Sequence, residues 1–457
     1  MAREIPVGSA GAGASGSAAA DGHTPGRHTE SLPLPVFTDP ARFPSPCFVL
    51  DSAALERNLQ ILSQVQQDSG AVILMALKAF AMHAAFPQIR RHLGGVCASG
   101  PHEARLGREE FGGMVHTFAA AYSGHDLEQV LELSDHIVFN SCGQWQRFRE
   151  RCLAAAAERR DTGRPLSFGL RLNPEHSEGT VPLYDPCAPY SRLGITETRL
   201  REYLSGDPRG LEGITGLHMH TLCEQGADAL ERTLEVFEQR FADILPQMEW
   251  LNLGGGHHIT QPDYDRGLLV RLVTGLRERW GVQVYLEPGE AVVINTGVLV
   301  CSVLDVTRNG MDIAILDISA TAHMPDVLEM PYRPEIRGAW DPRLRFPQPI
   351  SEQHLQPHPQ YAQPQPEGLE AARQPAHVYR LGGMSCLSGD VIGDYAFSRP
   401  LQPGDRIVFE DMSHYTMVKT TMFNGVHHPA IALYNPEDDS VHVVRRFGYP
   451  DFRDRLS

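Results

Sequence analysis

The stretch CFVLDSAALERNLQILSQVQQDSGAVILMALKAF, residues 47–80, decides the fold class. CFVLD (47–51) is a short apolar run that predicts a strand. SAALERNLQILSQVQQ follows with helical spacing and Ser52 as its N-cap. AVILMAL (71–77) is apolar again and reads as a buried strand that ends at Lys78. Working outward, the apolar runs GGVCAS, HIVFNS, SFGLRLN, GITGLHMHT, WLNLGGG and VQVYLEPGE alternate with amphipathic stretches. PHEARLGREE, QWQRFRERCLAAAAERR and DALERTLEVFEQRFADIL are the helical candidates among them. Such alternation is the signature of parallel βα units. The strand count comes close to eight, so an α/β fold built on a TIM-type (β/α)8 barrel over 46–295 is expected ahead of an open doubly wound sheet.

Beyond Glu290 the texture changes. VVINTGVLVCSVLDV, DIAILDIS, VYRLGG, RIVFEDM and HVVRRF are β-branched runs separated by Gly, Pro, Asn and Asp. They predict a mostly antiparallel β domain over 296–457, and 47–51 is a candidate to join it because it precedes the first barrel helix. Residues 1–42, rich in Gly, Ala, Ser and Pro, are expected to be a disordered tail. The Pro/Gln-rich stretch 341–375 is expected to be a surface insertion.

Composition narrows the function classes. Among 457 residues, 40 Lys and Arg oppose 56 Asp and Glu, a formal charge of −16, which argues against a nucleic-acid partner. No apolar run reaches the roughly 18 residues of a spanning helix, so no membrane role is expected. The eight cysteines include no CxxC pair and suit neither a disulfide scaffold nor a zinc ribbon. The first thirty residues lack the apolar core of a secretory signal, and position 2 is Ala2, not the glycine that myristoylation needs. A cytoplasmic enzyme is expected.

Barrels keep their chemistry at the C-terminal ends of the strands, so the polar residues that close each apolar run are the candidates. Lys78, walled by Met75, Leu77 and Phe80, is expected to lose solvation and gain nucleophilicity when deprotonated; taken singly it reads as a strand cap reaching water. Arg171 and Asn173 close SFGLRLN. His218 and His220 in LHMHT alternate onto one side of a strand, as metal ligands, as a ring lying on a ligand, or as structural histidines. Gly254, Gly255 and Gly256 form either a tight turn or a loop whose amides approach a phosphate. His257 and His258 follow without an assignable role. Glu287, turned at once by Pro288 and Gly289, can face a ring nitrogen or pair with a neighbouring base. Together, lysine, ring-facing histidine, glycine loop and buried acid in that order suit pyridoxal 5′-phosphate, whose protonated pyridine is the electron sink that loss of CO2 from an amino acid requires.

With these residues in place, the chain resembles the fold type III, alanine racemase-like pyridoxal phosphate decarboxylases, and within them the carboxynorspermidine/carboxyspermidine decarboxylases of polyamine (spermidine, norspermidine) biosynthesis. The resemblance rests on LRLNPEHSEGTVPLYDPCAPYSRLGI, GLHMHTLCEQGADALERTLEVF, WLNLGGGHHIT, LEPGEAVV, ISATAHMPDVLEMPYRP, SCLSGDVIGDY and MVKTTMFNG. It runs from Cys47 to about Tyr434, outside the insertion. It implies that Lys78 links to the cofactor's aldehyde, His220 stacks on its ring, Gly254–Gly256 and Tyr415 take the phosphate, and Glu287 faces the pyridine nitrogen. It also implies that Cys386 donates a proton after CO2 leaves, reaching the site from the partner subunit of a homodimer.

Two departures stand out. Ornithine and diaminopimelate decarboxylases carry arginine where this chain has Glu290, so phosphate must be held more by backbone and other donors. Val96 stands where ornithine decarboxylase carries an acid. Glu290 and Asp326 are expected to pair with amines of the substrate chain by charge-assisted hydrogen bonds. Arg192 is expected either to bind the substrate carboxylate or to brace a loop, and Asp390, by its position in SCLSGD, to help bind an amine from the partner subunit. The alternatives are a diaminopimelate or ornithine type decarboxylase, a racemase of the same fold, a non-catalytic pyridoxal phosphate carrier, and a metal-dependent barrel hydrolase using His218 and His220.

Overall fold

The computed structural model describes residues 39–176, 178–179, 185–342 and 376–457. Most of the expected tail, 1–38, and of the expected insertion, 343–375, lies outside the described residues. Pro40–Arg42, assigned to the tail from sequence, instead form one 3-10 turn held by a bond from Arg42 Nη1 to Asp439 Oδ1 at 2.5 Å.

Eight parallel strands close the barrel: Val72–Ala76, Gly95–Ala98, Met114–Phe118, His136–Phe139, Ser167–Asn173, Ile214–His218, Trp250–Asn252 and Gln283–Leu286. Closure is made by Tyr285 against Val72 and Leu286 against Ile73. The strand Met114–Phe118 was not read from the sequence, because His116 and Thr117 interrupt its apolar run. Both are buried all the same. His116 stacks on His136 at 4.1 Å, His136 stacks on Trp250 at 4.8 Å, and Tyr285 lies 4.5 Å from His116. Burial lowers both imidazoles, His136 to about 4, so these rings pack as neutral aromatics.

The first helix, Ser52–Ser69, is capped by Asp51 and not by Ser52; the Asp51 carboxylate accepts from the amides of Ala53 and Ala54, both at 2.9 Å. Its apolar side, Leu55, Leu59, Leu62 and Val65, joins the main core under the barrel. Gly70 then turns the chain in the left-handed region.

Cys47–Asp51 belongs to the second domain. It pairs antiparallel with the long strand Gly297–Asn309 and parallel with Ala430–Asn435. Gly297–Asn309 also pairs antiparallel with Met311–Leu316 and Arg406–Phe409. The remaining strands extend the sheet on both sides, with Met311–Leu316 and His377–Gly382 making a second parallel pair. From Cys47 the described chain therefore runs through the sheet, builds the barrel and returns to the sheet. Contacts across the seam include Tyr415 N to Ala79 O at 2.8 Å and Asn295 N to Asp411 Oδ1 at 2.6 Å.

One packing constraint inside the barrel is tight. A Cβ on Gly216 would sit 1.9 Å from Trp250 Cε2, so Gly216→Ala must displace the indole. Overpacking of this kind costs about 1–3 kcal/mol. The expected result is a lower urea midpoint for Gly216→Ala, partly recovered when Trp250→Phe is added.

Candidate active site

Strand register gathers the polar residues at one rim. Arg171 is level with His218, His218 with Asn252, and Asn252 with Tyr285 across neighbouring strands. Glu287 follows two residues after Tyr285, and Lys78 two residues after Ala76. The parallel strands of the barrel end on this side.

Glu287 is the acid at the floor of this rim, with 7% of its surface exposed. Its Oε1 accepts from Asn252 Nδ2 at 2.7 Å, and its Oε2 lies 3.7 Å from His218 Nε2. Burial pushes the carboxyl up, against the Asn252 hydrogen bond, the Lys78 charge, the Cys97 thiol and Arg171. Such a group is stabilised by a partner that brings its own proton, and a protonated ring nitrogen meets that need.

His220 stands over the same space. The Gly255 amide donates to its Nδ1 at 3.4 Å, and its carbonyl accepts from Arg171 Nη2 at 3.1 Å. Arg171 is itself buried against the Phe118 ring, 4.6 Å from its centroid. Burial, then the charges of Lys78 and Arg171, hold His220 well below the usual imidazole range. The ring is neutral and suited to stacking.

The glycine loop is forced by crowding. Gly254 and Gly256 have φ of 72° and 82°. A Cβ would lie 2.6 Å from Met219 O at Gly254, 2.5 Å from Glu287 O at Gly255 and 2.1 Å from Leu222 O at Gly256. The Gly254 amide is spent on Asn252 Oδ1 at 2.8 Å and the Gly255 amide on His220 Nδ1 at 3.4 Å, so Gly256 is the glycine whose amide is left to face an anion.

Lys78 departs from expectation. Met75, Leu77 and Phe80 are buried, but Lys78 itself is exposed at the mouth, so those side chains do not strip its amine of water. Its charge acts on Cys97, His218, His220, Cys223 and Glu287, which places it over the floor. Tyr415 reaches the rim from the sheet domain with a φ of 40°, and burial raises its phenol, keeping it a hydrogen-bond donor.

The outer residues divide. Glu290 is not a free acceptor for an amine: its carboxylate lies 3.4 Å from His258 Nε2 and 3.8 Å from His414 Nε2. Asp390 is an anchor and not an amine receptor, because its buried carboxylate accepts from the amides of Ala320 at 2.7 Å, Thr321 at 3.4 Å and Ser385 at 3.1 Å. Asp326 accepts from Lys419, and Glu329 lies 3.6 Å from the same amine. Two acids thus share one cation. Arg192 is exposed and its carbonyl accepts from Asn140 Nδ2 at 2.8 Å, pinning its loop. Cys386 is exposed in a loop held by Asp390 and by Asn424, whose Oδ1 accepts from the Cys386 amide at 2.9 Å. His257 is structural: buried, lowered to about 4 by burial, and within 3.3 Å of the Tyr264 hydroxyl.

His218, His220 and Glu287 also offer ligand atoms within 4.8 Å of one another, the arrangement a metal hydrolase would need. Comparison with known proteins decides between the two chemistries. Residues 47–413 match the family model described as pyridoxal-dependent decarboxylase, C-terminal sheet domain. The chain belongs to the pyridoxal-dependent decarboxylases.

Its similarity to individual members of the family is extensive. It is 44% identical to a carboxyaminopropylagmatine decarboxylase from Synechocystis sp. over 415 residues, covering 90% of this chain and 95% of that one. It is 40% identical to a carboxynorspermidine/carboxyspermidine decarboxylase from Campylobacter jejuni over 408 residues, covering 89% and 97%. The crystal structure of the Campylobacter jejuni carboxynorspermidine decarboxylase complexed with norspermidine superposes with a TM-score of 0.75 at 38% identity, covering 90% of this chain and 99% of that one.

The decarboxylase site suits pyridoxal 5′-phosphate on its own evidence: an acid that burial drives to seek a proton, a glycine loop in which a Cβ would collide with backbone, and a lysine above them. Sequence reasoning missed Asn252, which orients Glu287 and ties down Gly254. Its signal was present, a polar residue two positions before the first glycine of WLNLGGG. It also missed Cys97, close enough to hydrogen-bond Glu287, and the pairing of His414 with Asp411.

Replacing the floor acid separates its charge from its shape. Glu287→Gln is expected to lower kcat by about 10²–10³-fold while the cofactor stays bound, as read from kcat and visible absorbance. A kcat within threefold of wild type contradicts the role.

Proposed function

We propose that this decarboxylase removes CO2 from the α-amino-acid end of a carboxylated polyamine, carboxynorspermidine or carboxyspermidine, leaving norspermidine or spermidine. The observation that carries the reading is whole-length likeness to relatives named for such substrates, joined to a rim that supplies each required group. When bound, pyridoxal 5′-phosphate supplies an electron sink for the pair left as CO2 departs.

The protein's own residues do the rest. With the cofactor bound, Lys78 would hold its aldehyde, and Glu287, set by Asn252, would keep a proton at the ring nitrogen. His220, its carbonyl held by Arg171, would face the ring. Arg192 meets the substrate carboxylate, and Asp326, sharing Lys419 with Glu329, offers surplus negative charge to an ammonium of the tail. Cys386 Sγ gives a proton to the carbon that lost CO2, and Asp390 sets the loop that carries it.

We place Cys386 in the site of a second copy, in a homodimer with shared active sites. Met384, Leu387 and Phe423 stand 40%, 44% and 42% exposed around Cys386 and its partner Asn424, an apolar surface of the kind that a subunit covers. Mixing Lys78→Ala with Cys386→Ala subunits is then expected to restore about a quarter of wild-type activity, because half of randomly formed dimers contain one intact site of two. No recovery in mixtures shown to exchange subunits contradicts the shared site.

A second reading concerns the tail. The Synechocystis relative is named for carboxyaminopropylagmatine. Release of CO2 from carboxynorspermidine, carboxyspermidine and carboxyaminopropylagmatine, with diaminopimelate and ornithine as controls, tests the substrate class. The proposal expects at least tenfold higher kcat/KM for a carboxylated polyamine than for either control. Preference for a control overturns it, and preference for the third compound moves the assignment to the guanidinium-tailed substrate.

A further inference from the structure

Two histidines with no part in the chemistry above converge beside the glycine loop. His258 follows Gly256 by two residues, and His414 precedes Tyr415. Glu290 lies between them, 3.4 Å from His258 Nε2 and 3.8 Å from His414 Nε2, and Asp411 Oδ2 approaches His414 Nε2 to 3.2 Å. The His414 side chain is 9% exposed, and its Nδ1 has no hydrogen-bond partner among the described residues. Its ring meets the Tyr415 ring edge-on at 6.0 Å. Tyr415 in turn feels Glu290, Cys223 and Glu224, and the Cys223 amide lies 2.9 Å from where a Cβ on Gly256 would be. The cluster and the loop are one neighbourhood.

That neighbourhood has a charge problem. The Gly254 amide is committed to Asn252, which reduces what the backbone offers an anion. Glu224, Glu290 and Asp411 all act on His414, and Tyr332 and Tyr415 nearby are neutral phenols. With neutral imidazoles, the carboxylates of Asp411, Glu290 and Glu224 would give this cluster a net negative charge that disfavours a phosphate beside it.

We propose that His414, together with His258 across Glu290, supplies the positive charge that holds the cofactor's phosphate, and that Glu290 is a positioning residue acting through both rings. The assignment rests on the family's cofactor and on the placement of its phosphate at the Gly254–Gly256 loop. A carboxylate at ion-pair distance from Nε2 favours the charged form of each ring, and His414 Nδ1, without a hydrogen-bond partner among the described residues, is left for the ligand. Burial alone would discharge His414, but Asp411 and Glu290 lift it to about 9, and Glu290 likewise raises His258 against its burial. A raised imidazole is charged below its shifted value and loses its charge as pH climbs through it. Phosphate retention is therefore full near neutrality and falls above about pH 9.

The test compares pyridoxal 5′-phosphate with pyridoxal, which lacks the phosphate, by dissociation constants of the full-length protein between pH 6.5 and 10. His414→Asn is expected to weaken pyridoxal 5′-phosphate at least tenfold and pyridoxal less than twofold. His414→Lys, which keeps a cation, should stay within threefold of wild type and abolish the loss near pH 9. Glu290→Gln should move that loss at least one pH unit lower while the substrate KM, at saturating cofactor, changes less than twofold. Equal weakening of both ligands by His414→Asn overturns the proposal, as does a wild-type affinity flat to pH 10. A Glu290→Gln variant with raised KM and unchanged cofactor affinity also overturns it, returning Glu290 to the substrate's amines. Failure of wild type to bind pyridoxal 5′-phosphate at all would strike the cofactor site itself and not this assignment.

Discussion

A carboxylate buried at the bottom of a barrel mouth is the constraint on which the rest of this structure depends. Taking Glu287 out of water is costly unless something returns the lost hydrogen bonds. Asn252 returns one, and its other atom fixes the first glycine of the loop, so the acid and the loop cannot move independently. Arg171 holds the carbonyl of His220, whose ring takes the next glycine amide. Strand register sets all of these distances. The acid, the glycine loop and His220 are therefore tied to one another by the protein's own hydrogen bonds, as a preorganised site requires.

The two domains are tied so that this rim is completed from outside the barrel. The chain lays down one strand of the sheet before its first barrel helix and adds the rest after the eighth strand, which fixes the sheet against the barrel by topology as well as by packing. Tyr415 then bonds to Ala79, the neighbour of Lys78, and Asp411 braces the turn at Asn295 while also facing His414. Residues of the sheet thus enter the electrostatics of the barrel mouth directly. Lys78 stays in contact with water while its charge acts on the buried His220 and Glu287.

Much of this was legible in the sequence because strand ends carry chemistry in barrels. Lys78, His220, Gly254–Gly256 and Glu287 each close an apolar run, and the family resemblance added Tyr415 and Cys386, which no periodicity points to. Legibility failed where side chains answer to tertiary neighbours. MVHTF hides a strand because His116 is neutral and stacked. Glu290 read as a receptor for amines because nothing in EPGE discloses two histidines from distant segments on either side of it. Asp390 read as a ligand group, yet three backbone amides occupy it. Local pattern reports what a residue is and which element bears it; partners on other segments are set by the fold.

The central claim is that one lysine at the barrel mouth carries the cofactor above Glu287. Borohydride reduction of the holoenzyme, followed by mass mapping of its peptides, tests this most directly. A single pyridoxyl label on the peptide containing MALKAF, at Lys78, is the predicted result. A label on Lys419, the other lysine of the sequence, or a reduced protein with no label and its full activity, would contradict it.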